Sequence, residues 1–269
     1  MYNKVVNRFL IYNEIKPDKL SEKIDTSVHK TPEYLGLFCS TAVYNPPTIT
    51  NVSIGDIYGC DSHIVTNNDD VFQLLNIFYK DDSDDKKAHN NRSNDNLSMG
   101  MNQMIEKTNS SPELMTVCRV DNENNINLIY TNGMHRFLAL RALYLNLAGN
   151  YPNRTEEWKK RFTVRAYLYT LSEVKTFCAH IIRRYYREKG KNILLEPDYK
   201  EREYTGKMII IVREGTNIVE QYVLNDNELI EFTKPLLDEQ IDYYRDVDVE
   251  MFKKFMNSIG FGFNPNLNR

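Results

Sequence analysis

Residues 126–148 read INLIYTNGMHRFLALRALYLNLA. The opening run, INLIYT, is rich in residues that favour strands, and Asn132-Gly133 is a strong turn pair. From Phe137 to Ala148 nearly every position around the helical repeat is apolar. That pattern predicts a central helix buried on most sides rather than a surface helix with one apolar stripe. Gly149 suits its C-terminal cap. Between strand and helix stands Asn132-Gly133-Met134-His135-Arg136. Gly133 permits a tight turn and close ligand approach. The first-turn N–H groups of the helix have no intrahelical partner, and the helix dipole adds partial positive charge there. His135 brings a titratable imidazole and Arg136 a permanent forked cation, so the turn has the makings of an anion site, most naturally for phosphate. The structural alternative is an ordinary Asn-Gly turn, with His135 capping the helix and Arg136 paired to a surface acid.

Upstream, LMTVCRV (114–120) joins INLIYT through the polar DNENN, which predicts a hairpin. Leu97, Met101, Met104 and Ile105 form a helical stripe that Pro112 closes. Val71, Leu74, Leu75 and Phe78 share one face of a helix running from about Asp69 to Tyr79. Between these helices, residues 81–96 (DDSDDKKAHNNRSNDN) hold a single apolar residue, Ala88, and read as a mobile surface insertion. Val52-Ser-Ile-Gly-Asp-Ile57 alternates and reads as one short strand. Pro17, Pro32 and Pro46-Pro47 break the first fifty residues into short helices and extended connections.

Downstream, Phe162, Val164, Ala166 and Leu168 alternate as a strand, and Thr170-Leu-Ser-Glu173 reads as a capping box opening a helix that ends near Gly190. MIIIV (208–212) and IVEQYVL (218–224) flank REGTN as a second hairpin, and a last helix is expected over roughly 238–259. A composition break at 190–206 suggests a division into an N-terminal extension (1–50), a principal domain (51–190) and a C-terminal hairpin and helix region (191–269).

Lys and Arg number 34 against 37 Asp and Glu, a formal charge of -3, which speaks against a blanket electrostatic grip on nucleic acid. No apolar run approaches the about 18 residues of a membrane span, and the start lacks the pattern of a signal peptide. The four cysteines are widely spaced without a C-x-x-C pair, as expected of reduced thiols in a cytoplasmic protein. His29, His89 and His180 are too scattered for a zinc site, Thr205-Gly206-Lys207-Met208 lacks the rest of a P-loop, and Gly260-Phe-Gly262 lacks a following helix. The acidic run 81–85 has neither the glycine nor the closing glutamate of a calcium loop.

The order of strand, helix, hairpin, N-G-x-H-R turn, buried helix with Ala139 three residues after the Arg, and further strand resembles the ParB/sulfiredoxin superfamily over roughly residues 52–185. The resemblance implies an α+β fold in which VSIGDIY is the opening strand, LSMGMNQMIEK the helix before the hairpin and RFTVRAYLY the strand after the buried helix. It implies that Gly133, His135 and Arg136 contact nucleotide phosphates, with Asn132 at the turn. Met134 stands where sulfiredoxins carry their catalytic Cys, so sulfinic-acid reduction is not expected. The ParB nucleotide site adds E-N-x-x-R on the following helix; Ala179-His180-Ile-Ile-Arg183 keeps only the Arg. The partition family's helix-turn-helix module is also missing after residue 190.

A phosphotransferase of this kind needs an acid near the opening strand, to hold metal or to accept a hydroxyl proton. Asp56 and Asp61 in GDIYGCDSH are the candidates for metal, and Asp61 and His135 for catalysis. His63 reads as structural, and Asp69 and Asp70 as helix caps. Arg183 and Arg187, in RRYYR, are candidate contacts to nucleotide or nucleic acid, or the solvated face of a helix that buries its tyrosines. The expectation is an α+β, cytoplasmic, nucleotide-binding protein without a membrane partner, compatible with a homodimer, using ATP or CTP with Mg²⁺ in phosphoryl transfer or hydrolysis. The alternatives are a non-enzymatic DNA-associated factor of partition, phage or defence type, and a metal-dependent nuclease.

Overall fold

A computed structural model describes residues 2–20, 41–60, 63–64, 68–79, 95–121, 126–129, 132–201 and 203–240. The chain is mixed α+β and divides into two compact units, residues 1–35 with 48–168, and residues 36–47 with 169–269. Among the described residues no helix is long and apolar enough to cross a membrane.

The first unit holds a six-stranded sheet in the order β1-β6-β4-β5-β2-β3, made of β1 (Thr48–Ser53), β2 (Ile57–Cys60), β3 (His63–Ile64), β4 (Met115–Asp121), β5 (Ile126–Ile129) and β6 (Thr163–Thr170). The expected hairpin is β4–β5, antiparallel with Cys118 opposite Leu128. β2 runs parallel to β5, and β1 runs antiparallel to β6. The helices are α1 (Lys4–Tyr12), α2 (Pro17–Leu20), α3 (Asn68–Phe78), α4 (Met101–Ser110), α5 (Met134–Asn150) and α6 (Thr155–Arg161). α5 is the centre of the unit: from Phe137 to Gly149 only Leu147 is not buried. Its side chains join Phe9 of α1, Phe72 and Leu75 of α3, Met104 of α4 and the inward residues Val52, Val117, Val164 and Ala166 of the sheet in one core.

Several expectations need correction. The single strand 52–57 is two strands of different pairing, because Ser53 Oγ accepts from Gly55 N at 3.1 Å and caps a 3-10 turn over Ile54–Asp56. Gly149 is not a cap: α5 continues to Asn150, and Pro152 ends it by disfavouring helical backbone at Tyr151 (φ -133, ψ 66). Helix α6 was not expected. Residues 81–94 of the polar insertion lie outside the described residues, but Asn96 at its end is buried.

The second unit contains α7 (Glu173–Glu188), an antiparallel sheet β7-β8-β9 (Asn192–Lys200, Glu203–Glu214, Asn217–Leu224) and α8 (Asp226–Asp238). The N-cap of α7 is Ser172, whose side chain accepts from Lys175 N, rather than Thr170, whose carbonyl is taken by Asn45 N at 2.9 Å. The composition break at 190–206 is largely strand β7, which pairs along β8 from Asn192↔Arg213 to Lys200↔Glu203. The last helix expected over 238–259 falls outside the described residues from 241 onward; α8, just before it, was missed. Ile181 and Ile182 of α7, Leu195, Met208, Ile210 and Val212 of the sheet and Leu229 of α8 are buried and form the apolar interior of this unit.

Candidate functional site

The turn between β5 and α5 is built by close approach. Gly133 is the N-cap of α5 at φ +102, ψ 2, a left-handed conformation that favours glycine. A Cβ there would stand 2.6 Å from Met115 Cγ and 3.2 Å from Met115 Cα, so the Met115 side chain must shift and the β4 backbone be crowded by any side chain. Asn132 fastens the turn to the same strand. Its Nδ2 donates to Leu114 O at 2.9 Å, and its carbonyl accepts from Thr116 N at 3.1 Å. The Asn132 amide is thus engaged in holding the loop.

Gly133 offers no side chain to cap α5, and the first turn carries no acidic residue. The first turn of a seventeen-residue buried helix therefore presents its N–H groups and the positive end of its dipole without a covalent counter-charge. Arg136 belongs to that turn. Its Nη2 donates to Glu113 O at 2.8 Å, while Nη1 is shut from solvent and has no hydrogen-bond partner among the described residues. Burial lowers the guanidinium pKa, against the opposing pull of Glu113 and Tyr79, yet an arginine so placed stays charged. The result is a half-desolvated cation beside an uncapped helix start.

His135 is oriented by aromatic edges. Its ring meets Phe78 at 5.8 Å and 84°, and Tyr79 at 5.1 Å and 86°. Tyr79 is fully buried and its hydroxyl donates to the His135 carbonyl at 2.6 Å. Burial pushes the Tyr79 phenol well above its usual range, against the influence of a hydrogen bond to Asn96 and the charge of Arg136, so it remains a donor. Sequence reading missed Tyr79; the only signal was an aromatic pair, Phe78-Tyr79, at a helix end.

Asp56 lies at the end of the sheet away from the Asn132–Arg136 turn. Ile57 partners Asn127 and Cys60 partners Ile129, so Asp56 precedes the start of the parallel pair and the Asn132–Arg136 turn follows its finish. Four strand residues separate them, roughly 13 Å. Asp56 is engaged where it stands: its Oδ1 lies 3.1 Å from Lys159 Nζ, and its carbonyl accepts from Asn127 Nδ2. Asp61 follows directly on the strand end beside Ile129 but lies outside the described residues. His63 on β3 pairs with Cys60. Among the described residues no group of three or more His, Cys, Asp or Glu could hold a metal.

Arg183 and Arg187 belong to α7 in the second unit. There Tyr186 is buried with its hydroxyl donating to Glu220 at 3.0 Å, Arg184 pairs with Glu188, and Arg187 is exposed, the pattern of an amphipathic helix with a charged outer face. A further residue that the sequence reading passed over is Arg141. It is 5% exposed inside α5, donates from Nη1 to Ile54 O at 3.1 Å and Gly55 O at 2.9 Å, and lies over the Tyr144 ring at 5.3 Å. One arginine within FLALRALYLNLA was its signal. It serves the 54–56 turn rather than the Asn132–Arg136 turn. No family model, no curated protein and no solved structure matches the chain.

Proposed function

We propose that the Asn132–Arg136 turn holds the phosphates of a nucleotide, ATP or CTP, and that the chain is a nucleotide-binding protein of ParB/sulfiredoxin type that uses it in phosphoryl transfer or hydrolysis. The observation that carries this reading is the pairing of an uncapped, acid-free helix start with a buried guanidinium edge, Arg136 Nη1, that makes no hydrogen bond among the described residues. A phosphate oxygen satisfies both at once, accepting from backbone N–H groups and from the guanidinium. The element order around the turn, with the hairpin before it and a strand after the buried helix, supports the same reading. Gly133 and Arg136 are the primary phosphate contacts, His135 lies next to the transferred group, and Asn132 holds the loop through Leu114.

Mg²⁺ fits this arrangement as a passenger of the nucleotide, which normally carries it on phosphate oxygens with few protein ligands. Asp56, committed to Lys159 and remote from the turn, is a poor ligand for it. Asp61 remains the acid whose chain position suits a base for an attacking hydroxyl or water.

The test is thermal unfolding with ATP, CTP and GTP, each with and without Mg²⁺. At a hundredfold excess over Kd, binding to the native state alone stabilises by about 2.7 kcal/mol. One nucleotide should raise Tm in the wild-type protein, and Arg136→Ala should abolish the rise. Equal shifts in wild type and Arg136→Ala would move the site elsewhere. No shift with any nucleotide would end the nucleotide reading.

A further inference from the structure

The turn does not stand alone: a chain of hydrogen bonds reaches it from the first helix. Asn3, the N-cap of α1, accepts from Val6 N on its Oδ1 at 3.0 Å. Its carbonyl accepts from Asn7 N at 2.9 Å, and its donors all turn to the end of α3. Asn3 N donates to Asn76 Oδ1 at 2.7 Å, and Nδ2 donates to Asn76 O at 3.3 Å and to Tyr79 O. The carbonyl of Tyr79 is therefore held by α1, while its hydroxyl donates to the carbonyl of His135 in the first turn of α5. Residues this far apart in sequence meet through one fully buried side chain. The phenol touches His135 twice, at the carbonyl and at the ring edge.

A carbonyl in the first turn of a helix normally accepts one bond, from the N–H four residues on. The bond from Tyr79 is therefore additional, and it tethers the peptide unit that links His135 to Arg136. Loss of the hydroxyl leaves the helix bond in place, so its main consequence falls on the orientation of that peptide unit and of the two side chains flanking it. A cap alone would explain the Asn3–Val6 bond; it does not explain why both amide protons of Asn3 and its own N–H are spent on the residues that lead into Tyr79.

We propose that Tyr79 is a positioning residue of the phosphate site, setting the His135–Arg136 peptide, and that Asn3 fixes Tyr79 from α1, so that docking of the first helix sets ligand affinity at the turn. This rests on the reading of the turn as a phosphate site. The ligand touches neither Tyr79 nor Asn3; both act through His135 and Arg136.

The experiment is isothermal titration of wild type, Arg136→Ala, Tyr79→Phe and Asn3→Asp with inorganic tripolyphosphate and with ATP plus Mg²⁺, with Tm recorded for each protein. Tyr79→Phe keeps the ring and removes only the hydroxyl. Asn3→Asp keeps the oxygen that caps Val6 N and removes the two donated bonds. Wild type is expected to bind both probes and Arg136→Ala to lose them. Tyr79→Phe should weaken binding about three- to tenfold, the effect of one neutral hydrogen bond, and Asn3→Asp should weaken it in the same direction by less. The loss must appear with both variants folded at the assay temperature, because a purely structural role lowers Tm and leaves Kd unchanged. Binding that is lost in Arg136→Ala but unaltered in Tyr79→Phe and Asn3→Asp would overturn the positioning role and leave the phosphate site standing. Absence of binding in wild type would overturn the phosphate site, and the positioning role with it.

Discussion

At Gly133 backbone conformation and crowding act on the same atom. With φ at +102, any L side chain is strained, and the space a Cβ needs is filled by Met115 down to its Cα. Gly133→Ala should therefore cost about 2 kcal/mol or more, the sum of a left-handed penalty and a displaced strand, measured as a lower urea midpoint with unchanged slope. Arg141 offers the opposite case, a large side chain whose loss strands others. Its guanidinium satisfies two carbonyls of the 54–56 turn, and at Gly55 a Cβ would stand 2.8 Å from the Tyr144 ring. Arg141→Met fills the volume but takes the guanidinium from both carbonyls, leaving Ile54 O only the bond from Ile57 N, so unfolding should show a loss of about 1–3 kcal/mol. An unchanged stability would mean that water reaches Ile54 and Gly55. Of these residues the sequence announces only some. Asn132-Gly133 is legible because a turn pair needs its residue types locally. Tyr79 and Asn3 were not, since what makes them matter is a partner more than fifty residues away.

Elements were legible where one periodicity dominated. The hairpin β4–β5, helix α5 and strand β6 followed from alternation or from an unbroken apolar run. Where a local hydrogen bond or a proline competed with the pattern, the reading failed: Ser53 split one expected strand into two, and Pro152 rather than Gly149 ended α5. Helix α8 shows a signal present and unread. Asn225-Asp-Asn-Glu228 is a full capping box, with Asn225 Oδ1 accepting from Asn227 N and Glu228 N and Glu228 Oε2 accepting from Asn225 N at 2.8 Å. Asn225→Ala should cost about 1 kcal/mol, read from equilibrium unfolding. Within the same unit, α7 and α8 enclose the Cys178 thiol, which burial pushes up to about 12, with a bond to Thr233 acting against that. A thiol whose folded pKa is raised contributes stability that is complete below its unfolded value, near 9, and is lost as pH rises toward 12. Stability should therefore fall by up to about 1.4 kcal/mol per pH unit above pH 9 from this group. Cys178→Ala should remove that slope while lowering stability at neutral pH. An identical alkaline slope in the variant would assign it to the buried tyrosines instead.

For the whole molecule, the division into two units is written in packing rather than in composition. The principal core, from Val6 to Leu168, draws every member from the first unit, and the second has its own interior around Ile181, Ile210 and Leu229. The stretch at 190–206 reads as a break in composition because β7 alternates with charged residues such as Glu196 and Lys200; half of a strand's side chains face solvent even when its backbone is paired. The main core includes residues on both sides of the 21–47 stretch, and such long-range closure leaves no mark on local sequence. Two separate interiors make a prediction about how ligand and mutation are felt. Leu138→Ala, at the centre of α5, and Ile210→Ala, in the middle of β8, should each cost about 2–5 kcal/mol of the unit that contains them. By hydrogen exchange, Leu138→Ala should speed exchange in α3, α5, β4 and β6, and Ile210→Ala in α7, β7, β8 and α8. Nucleotide at the Asn132–Arg136 turn should slow exchange in the first set alone, since a ligand stabilises the elements whose opening releases it. Protection spread evenly over both sets, with each mutation felt throughout, would show that the two interiors unfold as one cooperative whole.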